Sequence, residues 1–225
     1  MKYKRINIFT GHFGSGKTEV AVNFALRLAG EGNNTAIVDM DIVNPYFRTA
    51  DVKTLLQSRG IKTVIPVYAN TNVDVPALPA EINSLLESRD YTGVFDVGGD
   101  DTGARALSRY SSEILAEDYD MFLVINIRRP MTGTIPEIIE MVRSIENSSR
   151  LKVTKLVNNS NLLGNTSEEI IYKGFLVISE ASRLLGIPLG FTSAMKELQP
   201  LNTNKAGSEI LYMDKLIRLP WDRES

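Results

Sequence analysis

Residues 11 to 18 read Gly11-His12-Phe13-Gly14-Ser15-Gly16-Lys17-Thr18, which meets G-x-x-x-x-G-K-[ST] at every fixed position. Glycines let consecutive backbone N–H groups turn inward around a phosphate, and a helix opening at Lys17 adds the partial positive charge of its N-terminus. In such a loop Lys17 reaches the β- and γ-phosphates while the Thr18 hydroxyl ligates Mg²⁺. A glycine-rich turn with an exposed lysine is the plainer reading, but the flanks argue against it. The apolar stretch Ile6–Phe9 precedes the segment, and Val20, Ala21, Phe24, Ala25 and Leu28 form one helical face after it. A dinucleotide loop needs G-x-G-x-x-G, whereas the glycines here fall at Gly11, Gly14 and Gly16, followed by Lys-Thr.

Carboxylates follow at two further places. One expected strand ends in Asp39-Met40-Asp41, another in Asp96-Val97-Gly98-Gly99-Asp100-Asp101. An acid at the end of a buried strand beside a phosphate loop accepts hydrogen bonds from Mg²⁺-bound water, and Asp39 and Asp96 both fit that role. Gly99, three residues after Asp96, has the D-x-x-G spacing by which a backbone N–H, with Gly98 beside it, addresses a γ-phosphate. Strand capping and turn opening compete with this reading, most strongly for Asp100 and Asp101. Arg48, Arg105, Arg128 and Arg129 are cations of the kind that assist phosphoryl transfer, with solvated surface arginine as the bland alternative.

These residues need a scaffold, and the hydrophobic pattern supplies one. Short β-branched runs alternate with stretches of helical period, which predicts an α/β fold: three layers, with a mostly parallel sheet of about seven strands covered by helices on both faces. Strands are expected at Ile6–Thr10, Thr35–Asp39, Thr63–Val67, Gly93–Val97, Met121–Ile127, Lys152–Val157 and Ile187–Phe191. Helices are expected at Lys17–Ala29, Asp51–Arg59, Pro76–Arg89, Ala104–Leu115, Thr132–Glu146 and Ser167–Leu185. The C-terminal run Ile210–Ile217 reads as packing. Asn44-Pro45, Gly98-Gly99, Arg129-Pro130 and Asn158-Asn159-Ser160-Asn161 follow expected strands, where ligands bind in open α/β sheets. No linker divides residues 1–225, so one nucleotide-binding domain is expected.

Composition narrows the classes. The 225 residues contain no cysteine, which excludes thiolate catalysis and Cys-ligated metals. Neither a signal-peptide core nor an apolar run of membrane-spanning length is present, so a cytoplasmic location without a membrane span is expected. A formal net charge of −2 gives no footprint for nucleic acid.

Strand, phosphate loop and helix, then V-D-x-D, then a strand ending D-x-x-G, resemble the MinD/ParA-like P-loop ATPases. This is the CobQ/CobB/MinD/ParA nucleotide-binding group that includes nitrogenase iron protein. The resemblance implies ATP and Mg²⁺ as ligands: Asp39 holds a magnesium water, Asp41 orients the attacking water, and Asp96 is the Walker-B acid. Asn158-Asn159 resembles the strand-end asparagine that reads the adenine edge, an amide offering both donor and acceptor. The absence of N-K-x-D also favours ATP over GTP. Dimerising members carry K-G-G-x-G-K-[ST]; here His12 takes the place of the first lysine and Phe13 that of the glycine after it. That departure bears on a possible ATP-dependent homodimer and leaves phosphate and magnesium binding as expected. The implied activity is an ATPase switch acting on an unidentified protein partner. The alternatives are an ATP-dependent small-molecule kinase or ligase of the dethiobiotin-synthetase or cobyrinate-synthase type, with Asn44–Arg48 as a candidate substrate contact, and a non-hydrolysing nucleotide sensor.

Overall fold

The computed structural model describes residues 3–40, 52–65, 81–99, 101–202 and 206–217. Within them β1 (Ile6–Thr10) leads through a loop into α1 (Lys17–Gly30), followed by β2 (Thr35–Met40), α2 (Lys53–Ser58) and β3 (Lys62–Val64). Next come α3 (Glu81–Glu87), β4 (Thr92–Val97), α4 (Asp101–Ser108), α5 (Ser111–Leu115) and β5 (Tyr119–Ile125). The chain continues through α6 (Ile135–Ser149), β6 (Lys155–Asn158), α7 (Glu168–Leu185), β7 (Leu189–Met195) and β8 (Ile210–Met213). The eight strands form one sheet in the order β3-β2-β4-β1-β5-β6-β7-β8, and every pairing is parallel.

Parallel strands covered on both faces should be buried along their length and largely apolar; β1 and β2 are buried throughout, and β5 at every residue but Tyr119. Alternate residues feed two cores. Phe9, Ile37, Val94, Phe122, Val157 and Phe191 pack with Val20, Phe24 and Leu28 of α1 and Leu56 of α2. On the opposite face Ile8, Val38, Phe95 and Leu123 meet Leu85 of α3, Leu107 of α4, Ile114 of α5, Ile138 and Val142 of α6, and Ile178 of α7. Phe9 and Phe122 stack with centroids 4.8 Å apart, directly beneath the start of the phosphate loop. This is the three-layer α/β arrangement expected from the pattern.

Several boundaries shift from expectation, among them β5, α6 and β7 by two to four residues, and three differences have identifiable reasons. The run Ile210–Met213 is an eighth strand, with Leu211 and Met213 buried and Ile210 and Tyr212 half-buried. Four residues carry too short a period to separate a strand from packing. The expected helix Ala104–Leu115 is two helices, broken at Arg109–Tyr110, with Tyr110 leading into α5. The sixth strand starts at Lys155, and before it side chains share the pairing with the backbone: Thr154 N donates to the Met121 carbonyl at 2.9 Å, but Thr154 Oγ1 accepts from Met121 N at 2.9 Å and Tyr119 Oη accepts from Lys152 N at 3.0 Å. Asp41, Asn44–Arg48 and Asp100 lie outside the described residues.

Candidate nucleotide site

The site is assembled at the carboxyl edge of β1, β2, β4, β5, β6 and β7. After Thr10, Gly11–Gly16 turn back over the edge, closed by Ser15 N donating to the His12 carbonyl at 3.0 Å. Gly16 stands at the N-cap of α1 with φ 84°, a left-handed conformation natural to glycine, and it contributes no capping side chain. Two of the longer helices, by contrast, are capped by side chains. Thr134 and Glu137 form a capping box on α6, and Ser167 accepts from Ile170 N on α7. At α1 the first-turn N–H groups are instead presented at the loop, where an anion would meet both them and the helix dipole.

Lys17 and Thr18 are each only 5% exposed, set into the loop floor rather than projecting into solvent. Below them Asp39 and Asp96 face each other in register across β2 and β4 and are 2% and 0% exposed. Both lie on the sheet face that carries Phe9, since Asp96 is the register partner of Phe9 as well, and that face is covered by α1. Two carboxylates and a hydroxyl are hard oxygen donors, which suit Mg²⁺ rather than a softer metal. Among the described residues no group of three or more His, Asp or Glu gathers as a metal cage. A cation here would complete its shell with phosphate oxygens and water, as Mg²⁺ commonly does.

The Gly98–Gly99 segment touches the loop itself. The Gly99 Cα lies so close to the Gly11 carbonyl that a Cβ there would overlap the oxygen. No other residue type fits, so the D-x-x-G segment and the first turn of the phosphate loop are one packed unit. His12 donates from Nδ1 to the Phe13 carbonyl at 3.1 Å, and the Phe13 ring is 60% exposed.

Asn158 and Asn159 are placed with their amides inward. Asn158 donates from Nδ2 to the Ile171 carbonyl at 3.0 Å and accepts from Ser160 N at 3.2 Å, which ties β6 to α7. Asn159 donates to the Ser15 carbonyl at 2.6 Å and accepts from Ser193 Oγ at 2.7 Å. For either amide to read a base edge as expected from sequence, it would have to exchange these partners.

Two contributors escaped the sequence reading. Asn126, the polar residue closing the apolar β5 run, accepts from Arg128 N at 3.0 Å and Asn161 N at 3.3 Å, and donates to the Asn161 carbonyl at 3.2 Å. It binds the loop after β5 to the loop after β6. Glu19, two residues beyond Lys17, accepts from Leu216 N at 2.8 Å and Ile217 N at 3.2 Å. Asn23 adds a reciprocal pair with Asp214, so the segment after β8 is fastened along α1. Burial raises the Glu19 carboxyl above the usual carboxylate range, opposed by the bonds from Leu216, Ile217 and Asn23 and the charge of Lys215.

No protein-family model matches the chain, and no curated protein does. Solved structures do. Chloroplast FtsY from Physcomitrella patens superposes with a TM-score of 0.60 over 92% of this chain and 64% of its own, at 16% identity. The cell division protein FtsY of Thermotoga maritima gives 0.56 over 95% of this chain and 64% of its own, at 17% identity. The signal recognition particle 54 kDa protein of Aeropyrum pernix K1, solved in complex with GDP, gives 0.53 over 85% and 41%, at 21% identity. The chain thus spans less than two thirds of the length of these structures. At such identities the likeness establishes the architecture alone: an α/β P-loop NTPase fold built on a single all-parallel sheet.

Proposed function

We propose that the protein is a Mg²⁺-dependent nucleoside triphosphatase that acts as a conformational switch on a protein partner. One observation carries the reading: the Gly99 backbone is packed against the Gly11 carbonyl, so occupancy at the γ-phosphate would be felt by the segment leading into α4. Loop N–H groups and Lys17 would hold the β- and γ-phosphates, and Thr18, Asp39 and Asp96 would hold the magnesium with its water. Magnesium, when bound, would screen the phosphate charge that develops on bond breakage. Asp41, beyond Asp39, is assigned to orient the attacking water on the strength of the MinD/ParA-like resemblance.

ATP is the proposed nucleotide. Guanine is best recognised by a carboxylate accepting from its N1 and N2 groups. The segment from Asn158 to Ser167, at the carboxyl end of β6, contains neither Asp nor Glu. GTP is the second reading, favoured by the GDP complex of the 54 kDa structural neighbour. Competition of ATP, ADP, GTP and GDP against a fluorescent ATP analogue, followed by phosphate release, decides between them. ATP should compete best in the parent, and Lys17→Ala should lose about 100-fold or more in affinity. Unchanged affinity in Lys17→Ala would remove the phosphate-site assignment, and preferential competition by GTP would replace ATP. An ATP-dependent homodimer, with His12 in the position of the family's lysine, is the accompanying proposal, read by sedimentation with and without ATP and Mg²⁺.

A further inference from the structure

The loop after β5 reaches the phosphate loop through one side chain. Arg129 Nε donates to the Gly14 carbonyl at 3.1 Å, and the guanidinium carbon lies within van der Waals reach of the space a Gly14 Cβ would fill. The backbone behind it is fixed. Arg129 N donates to the Asn126 carbonyl at 3.0 Å, Thr132 Oγ1 donates to the same carbonyl at 3.0 Å, and Asn126 is itself tied to Asn161. Two residues on, Met131 has φ 64°, a left-handed conformation costly for a side chain of its kind, and its side chain is 50% exposed. Strain is thus accepted in a solvent-facing turn next to Arg129.

A guanidinium has five N–H donors and keeps its charge at any pH the protein meets. The Gly14 carbonyl takes only Nε. Among the described residues no carboxylate pairs with Arg129, whereas Arg5 and Arg183 pair with one each and Arg27 with both Glu31 and Glu209. An unneutralised planar cation fixed to the crest of a phosphate-binding loop is complementary to an anion with several oxygens. We infer that Arg129 is a phosphate-contacting residue of the site, supplied by the chain's own β5–α6 loop, with its terminal nitrogens directed to the nucleotide's phosphate oxygens. The inference rests on the phosphate-site reading of Gly11–Thr18 and adds to it a second cation besides Lys17.

A charge contact and a loop brace predict different things. Coulomb attraction grows with the charge of the ligand, so losing Arg129 should weaken triphosphate more than diphosphate. A brace on Gly14 would weaken both alike. Arg129→Met and Arg129→Lys, checked for folding by thermal melting, are titrated with fluorescent analogues of ATP and ADP at two salt concentrations, with Lys17→Ala alongside. Arg129→Met should lose about 10-fold in ATP affinity, distinctly less for ADP, and show a shallower salt dependence. Arg129→Lys should recover part of the loss. Equal losses for ATP and ADP, or no loss, overturn the inference while a Lys17→Ala defect keeps the site. Parent-like binding by Lys17→Ala overturns both.

Discussion

The Asn159 amide donates to the Ser15 carbonyl at 2.6 Å and, through its oxygen, accepts from Ser193, so one buried side chain joins β6, β7 and the phosphate loop. Asn159→Asp places a carboxylate against a carbonyl oxygen and so turns a donor contact into a repulsion. The expected result is a loss of about 1–3 kcal/mol in stability and at least a tenfold fall in ATP affinity. Urea denaturation and equilibrium titration measure the two, and parent-like values in both would show that the loop does not depend on this tie.

Gly99→Ala tests the contact that carries the functional reading. The added methyl must displace either the Gly11 turn or the segment leading to α4, an overpacking cost of about 1–3 kcal/mol. Turnover should drop about tenfold or more, with a smaller loss of ADP affinity from the pressure on the Gly11 turn. Stopped phosphate release and ADP titration separate the outcomes.

Asp39 and Asp96 are register partners, and their replacement by Asn should show first in the metal requirement. For Asp39→Asn and Asp96→Asn the magnesium concentration giving half-maximal turnover should rise about 10- to 100-fold, the usual scale for disturbed support of a metal shell. A magnesium titration that overlays the parent would assign the pair to structure alone.

Glu19 gives a pH signature. Burial raises its pKa above the unfolded value, so between those two values the native state binds more protons than the unfolded state. Its contribution to stability therefore falls as pH rises through that window and is least favourable above it. Glu19→Gln removes the titration and flattens this part of the profile. The amide also presents an N–H to one of the two donors, Leu216 N or Ile217 N, which costs about 1–2 kcal/mol at low pH. Urea midpoints across a pH series check both effects.

The strand–loop–helix around Gly11 to Thr18, the central strands and the acids at their ends were legible because their signals are local. The spacing Gly11 to Thr18 and a polar residue ending an apolar strand are written in consecutive residues. Partner choice was not local. Asn158 and Asn159 were expected to face a base, yet their amides turn to Ile171 and Ser15, an outcome set by where α7 and the loop pack. Gly99 was singled out for a spacing, but its fit against Gly11 exists only once β4 lies beside β1. Likewise β8 has too few residues to declare itself, and it becomes a strand because β7 offers it an edge.

The sheet order has a consequence for how the chain is made. β1 has no sequence neighbour beside it: Ile6 lies opposite Gly93 on one side and Tyr119 on the other. During synthesis the strand that carries the phosphate loop must wait, apolar and unpaired, until β4 and then β5 have left the ribosome. At about 5–20 residues per second that interval lasts several seconds, long compared with hydrophobic collapse. Ile6, Ile8 and Phe9 therefore stay without strand partners on the nascent chain, and the loop Gly11–Thr18 gains its sheet neighbours only once most of the sheet is translated.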